Sequence, residues 1–170
     1  MLLLLSLSLL GSAACSVEVR LIEPDVDYQD EGGYVLEGEP RLEMGYYQEQ
    51  LYIPMSDGGE CVVVANPQGG YWTSPSIRVG GVLPDVQLRC TLTTGEGEVI
   101  SDARERRHLV LSPDGLIEAT NFPMFVERVD IDDDVEALFG TIATLECTVT
   151  DEEERAVELA VECELNPGTG

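Results

Sequence analysis

Strict alternation near the C-terminus is the strongest constraint on this chain. In residues 142–150, IATLECTVT, Ala143, Leu145, Cys147 and Val149 alternate with Thr144, Glu146, Thr148 and Thr150. Residues 155–165, RAVELAVECEL, set Val157, Leu159, Val161, Cys163 and Leu165 against Glu158, Ala160, Glu162 and Glu164. A period of two sends successive side chains to opposite faces of a strand, so each segment reads as a strand with one apolar and one wet face. The polar run 151–154 between them reads as a hairpin connection turning about residue 153. A lone hairpin cannot cover its own apolar face, so a second layer is required.

The preceding chain supplies it. Residues 86–94 alternate with Val86, Leu88, Cys90 and Leu92 inward, and shorter strands are expected at 60–65, 71–80, 98–101, 107–112, 116–120 and 122–127. Asp57-Gly58-Gly59, Gly80-Gly81, Gly95-Glu96-Gly97 and Pro113-Asp114-Gly115 separate them as turns. One short helix is expected at about 133–139, with Asp132 to Asp134 capping its start and Gly140 stopping it. Residues 45–170 thus read as one all-β domain of about seven to nine strands, a β-sandwich.

Residues 16–44 differ. Nine acidic residues face only Arg20 and Arg41, and Pro and Gly recur without a sustained period. The stretch 15–44 reads as a solvated, self-repelling tether. The whole chain carries 33 acidic residues against nine arginines, no lysine and one histidine, for a formal net charge of −24. Nucleic acid is excluded as a partner, because phosphates need cations to displace their counterions.

The first residues read as an address. Leu2 to Leu10 is apolar except for Ser6 and Ser8, and Gly11, Ser12, Ala13, Ala14 and Cys15 follow. The run is about half of the roughly 20 residues a spanning helix needs, so 1–14 reads as a signal peptide. Ser12-Ala13-Ala14-Cys15 resembles the lipobox of bacterial lipoproteins. The resemblance implies acylation of Cys15, a membrane partner held through that lipid, and a place in the cell envelope. Ser16 after the cysteine favours the outer membrane by the same analogy.

Asp134 to Gly140 followed by Leu145-x-Cys147-x-Val149 resembles the last two strands of an immunoglobulin-like domain, a pattern covering about 50–165. With Cys15 lipidated, Cys61, Cys90, Cys147 and Cys163 form an even set for an oxidising compartment. In the hairpin register Cys147 faces Leu159, leaving Cys163 roughly 13 Å along the ladder, too far to bridge. Two connectivities remain. Cys61–Cys163 with Cys90–Cys147 suits the immunoglobulin-like arrangement and is favoured, because Trp72 follows Gly69-Gly70-Tyr71 like a strand start. Cys61–Cys147 with Cys90–Cys163 imitates antibody domains, with Trp72 as the core tryptophan.

Chemistry-bearing candidates are few. Tyr71 and Trp72 after two glycines could offer flat faces to a sugar or peptide, or simply connect two strands. That glycine-glycine-aromatic segment is similar to segments of uncharacterised bacterial surface proteins. Asp130, Asp132, Asp133 and Asp134 could ligate calcium, although a D-x-D-x-D-G loop is missing and helix capping explains them. Zinc lacks a CxxC pair, and His108 is the only histidine. The basic run Arg104 to His108 either meets an anionic partner or pairs with acids of its own domain, with His108 toward solvent. No nucleophile elbow, HExxH or P-loop is present, and no cofactor is expected. These residues imply a non-enzymatic binding or structural module with an unknown protein or glycan partner. A carbohydrate-binding or calcium-assisted adhesin is the alternative, and a small secreted hydrolase the second.

Overall fold

The computed structural model describes residues 36, 38–66, 69–127 and 134–168. The signal peptide, Cys15, most of the tether, and Asp130, Asp132 and Asp133 lie outside the described residues.

The protein is all-β. Its strands are β1 (Arg41–Gln48), β2 (Leu51–Pro54), β3 (Gly59–Ala65), β4 (Tyr71–Thr73), β5 (Ser76–Gly80) and β6 (Asp85–Thr94). There follow β7 (Val99–His108), β8 (Val110–Leu111), β9 (Ile117–Ala119), β10 (Met124–Val126), β11 (Ile142–Asp151) and β12 (Ala156–Pro167). They form a five-stranded sheet of order β2-β1-β5-β9-β8 and a seven-stranded sheet of order β10-β4-β3-β12-β11-β6-β7. Every neighbouring pair is antiparallel except β3 and β12, which run parallel.

The C-terminal hairpin folds as its alternation dictates. Cys147 faces Leu159, and Ala143 faces Cys163. Leu145, Cys147 and Val149 are fully buried, while Glu146, Glu158 and Glu162 are exposed. β6 joins β11 with Cys90 opposite Cys147 and Leu88 opposite Val149. Met44, Ile77, Val79, Ile117 and Ala119 of the other sheet meet this apolar face. Each fully buried Leu or Ile contributes about 1.5–3 kcal/mol of transfer free energy.

Two corners join the layers. Expected strand 71–80 breaks at Ser74-Pro75 into β4 and β5, which lie in different sheets. β9 and β10 make the parallel switch, and the corners are tied where Phe122 N–H donates to the Pro75 carbonyl at 2.7 Å. Strands that change sheets at a bend are a known way to close a two-layer body. The seven-stranded sheet also curls, so that Glu127 N–H reaches the Ile100 carbonyl at 2.9 Å.

Four expectations need correction. The described residues form twelve strands where about seven to nine were expected, because corners split the chain into short pieces and the β1–β2 hairpin adds two. β1 begins at Arg41, so 41–44 belong to the body and not to the tether; Leu42 and Met44 pair with Val79 and Ile77. The separate strands 98–101 and 107–112 become one ten-residue strand, β7, plus the short β8. β7 is a sheet edge, so its centre can carry Arg104, Glu105 and Arg106 and needs no apolar alternation. The helix near 133–139 is a single 3-10 turn, Val135–Leu138, capped by Asp134 and followed by Gly140 at φ +81°.

The β1–β2 hairpin was not foreseen. Its turn residues Glu49 and Gln50 have φ of 50° and 70°, left-handed at both positions as a type I′ turn requires. Neither favours that conformation. Replacing them by Asn-Gly is expected to raise stability by about 1 kcal/mol in urea unfolding; an unchanged midpoint would contradict the strain. Gly45 is needed beneath this hairpin, since a Cβ there would stand 2.3 Å from the Ile53 carbonyl oxygen and 2.8 Å from the Tyr52 ring.

Candidate functional site

The solvated face of the seven-stranded sheet holds two depressions. Pairing of β6 with β7 sets Gln87 beside Arg106, Arg89 beside Arg104 and Thr91 beside Asp102. β11 adds Thr150 next to Gln87 and Thr148 next to Arg89. Where these strands end, a cleft of about 480 Å³ opens, lined among others by Asp85, Gln87, Arg106, Arg107, His108 and Glu152. Beside it lies a hollow of about 280 Å³ lined by Arg89, Thr91, Val99, Asp102, Glu146 and Thr148.

Charges are segregated across this face. Arg89 of β6 and Arg104 and Arg106 of β7 lie on one side, whereas Glu158, Glu162 and Glu164 occupy β12. Arg89 holds Asp102 through two hydrogen bonds of 3.0 Å, which lower the Asp102 carboxyl and raise the guanidinium. Arg104 approaches the same aspartate at 3.9 Å, and exposed His108 reaches Asp85 at 3.1 Å. Part of the basic run therefore pairs with its own domain. Arg106 and Arg107 have no ion-pair partner among the described residues, and Arg107 Nη1 is buried without an acceptor.

Tyr71 and Trp72 do not make a common platform. They are neighbours on β4, so alternation sends them to opposite faces. Tyr71 packs edge-on against Phe139 and donates to Glu136 at 2.8 Å. Trp72 packs edge-on against Phe125 at 5.5 Å, in a row with Val64. The Trp72 indole N–H is buried without an acceptor, so it is not presented to a solvent-borne sugar. Asp134, the described member of the aspartate cluster, spends its carboxylate on Glu136 N–H at 2.9 Å. Among the described residues no three acidic, histidine or cysteine side chains converge as metal ligands.

A second polar assembly, invisible in the sequence, covers the outer face of the five-stranded sheet. Arg78 is buried there beneath Tyr52, with its guanidinium carbon 4.3 Å from the ring centre. It bonds Asp114 and Ser112, and approaches Glu118 at 3.4 Å and Glu43 at 3.8 Å. Tyr47 donates to Glu118 at 2.6 Å. Ser112 and Arg78 together hold the Asp114 carboxyl below the ordinary aspartate range. The Pro113-Asp114-Gly115 turn was the only sequence signal here.

The cysteines behave unequally. Cys90 and Cys147 form a disulfide across directly opposed positions of β6 and β11. Cys61 and Cys163 are buried free thiols, in contrast to the bridge expected between them. The parallel ladder explains this, because Cys61 stands opposite Leu165 and Cys163 opposite Gly59, a diagonal offset of two residues. The thiols still share a hydrogen bond, which lowers Cys61 and, with burial, raises Cys163. Tyr46 Oη donates to Cys61 Sγ at 3.6 Å and lies 3.2 Å from Thr73 Oγ1.

Four tyrosine hydroxyls resist ionisation. Burial raises Tyr46 and Tyr52, and hydrogen bonds to Glu118 and Glu136 raise Tyr47 and Tyr71. All lie above the ordinary 10.0, so the unfolded chain releases these protons first. Their contribution is therefore complete below pH 10 and is lost as pH rises through the folded values. Tyrosinate absorbance of the folded chain is expected to lag that of the chain in guanidinium; coincident titration curves would contradict it.

Compared with protein-family models and with curated proteins, the chain matches none.

Proposed function

We propose that this chain is a lipid-anchored cell-envelope binding module whose solvated seven-stranded face receives the partner. The cleft at the end of β6, β7 and β11 carries the reading: its polar walls come from three strands and it falls within the 300–1,000 Å³ of ordinary ligand sites. The lipobox-like segment and acidic tether fit a body held clear of an outer membrane, with Cys15 as the lipidated residue. Strand order supports an immunoglobulin-like sandwich. β1-β5-β9-β8 corresponds to one immunoglobulin sheet, and β3-β12-β11-β6-β7, with its parallel first-to-last pair, to the other.

Globomycin sensitivity and palmitate labelling at Cys15 test the anchor, and photocrosslinking from Thr148 in intact envelopes tests the face. Absence of both label and crosslink would defeat the reading. The adhesin reading keeps one observation, the exposure of Phe125 beside Trp72. A glycan array comparing the chain with Trp72→Ala separates it, since it requires a tryptophan-dependent signal.

A further inference from the structure

We propose that the cleft is an oxyanion site, in which Arg106 and Arg107 receive a carboxylate or phosphate group of the ligand. The inference rests on the binding-module reading and names the chemistry that the cleft recognises.

Acidic residues outnumber arginines 33 to nine in this chain. Among the described residues Arg78, Arg89, Arg104 and Arg155 each have a carboxylate partner, whereas Arg41, far from the cleft on β1, does not. Arg106 and Arg107 do not either; they leave β7 in opposite directions, and both border the cleft at the strand's end. Their surroundings keep them free. Arg106 lies across the ladder from Gln87, and Gln87 lies across from Thr150, so neutral groups occupy the positions where acids would neutralise it. Of the acids lining the cleft, Asp85 is engaged by His108 at 3.1 Å and Asp151 by Arg155 at 2.7 Å, while Glu152 makes no ion pair with either arginine.

A guanidinium presents a planar fork of donors that matches the paired oxygens of a carboxylate or phosphate. Arg106, exposed on the solvated face, can turn its fork toward the cleft without first breaking an ion pair. Arg104 on the same strand adds like charge close by. An anion relieves that repulsion. The net charge of −24 limits the ligand in the other direction: a polyanion is repelled by the rest of the surface, whereas one oxyanion group can be accommodated locally.

The test is a titration of the isotopically labelled chain with inorganic phosphate and, separately, with acetate, at constant ionic strength made up with sodium chloride. Saturable amide shifts confined to 85–87, 106–108 and 150–152 are expected. A response to phosphate alone or acetate alone supports the site and assigns its source, and a response to both establishes the shared chemistry. Arg106→Gln combined with Arg107→Gln is expected to weaken binding at least roughly tenfold, and the two lysine replacements by a smaller factor, because charge survives without the fork. Arg89→Gln, on the same face outside the cleft, should leave affinity within about twofold. No saturable shift with either anion, or unchanged affinity in the folded double glutamine or double lysine variant, overturns the proposal. A Thr148 crosslink obtained without any anion response would sink this inference and leave the binding module intact.

Discussion

Replacing Cys90 and Cys147 together by alanine is expected to lower the free energy of unfolding by about 4 kcal/mol. The two sulfurs close a loop with a sequence separation of 57, and loss of that cross-link returns about this much entropy to the unfolded chain. Both side chains are wholly buried, so the lost sulfur packing acts in the same direction. The double variant is preferable to either single one, which would strand a reactive thiol in the core. Guanidinium unfolding measures the change, and reduction of the unaltered chain should reproduce most of it. A shift below about 1 kcal/mol would mean that the long loop is already constrained in the unfolded ensemble.

Asp151→Ala is expected to be nearly as damaging, by about 3–5 kcal/mol. The carboxylate sits at the end of β11 and is completely shielded from water. Its Oδ1 accepts from Glu153 N–H and Arg155 N–H, both at 2.9 Å, and so shapes the last hairpin. Its Oδ2 accepts from Leu83 N–H at 2.9 Å and Arg155 Nε at 2.7 Å, tying that hairpin to the segment entering β6. Alanine abandons four donors at once and leaves a guanidinium that is only 10% exposed with Glu153, at 3.4 Å, as its remaining carboxylate. Combining it with Arg155→Met should recover part of the loss, because the charge disappears. Strict additivity in that cycle would show that the ion pair has no coupling of its own.

The legible parts of this fold are those where local alternation and burial agree. The strands β6, β11 and β12, their register and the cap at Asp134 follow from period, turn chemistry and the preference for Asp before a helical turn. What escaped depends on distant chain. Arg78 alternates with Ile77 and Val79 and so reads as an exposed residue; only the β1–β2 hairpin laying Tyr52 across it makes it buried. β7 reads as two pieces because an edge strand tolerates charge on both faces. Tyr71 and Trp72 are a different case, since the alternation assigned to 71–80 already separates neighbouring side chains. The cleft could be suspected from Arg104 to His108, but which arginines stay unpaired depends on Gln87 and Thr150, brought alongside by β6 and β11.

The parallel pairing of β3 with β12 has a mechanical consequence. Rungs run from Cys163 opposite Gly59 to Pro167 opposite Val63. Tension drawn backward from the start of β3 and forward from the end of β12 slides the two strands past each other, and all rungs bear the load simultaneously. An unzipping geometry would break them one at a time. A body pulled between those two points would therefore hold its shape under stretch.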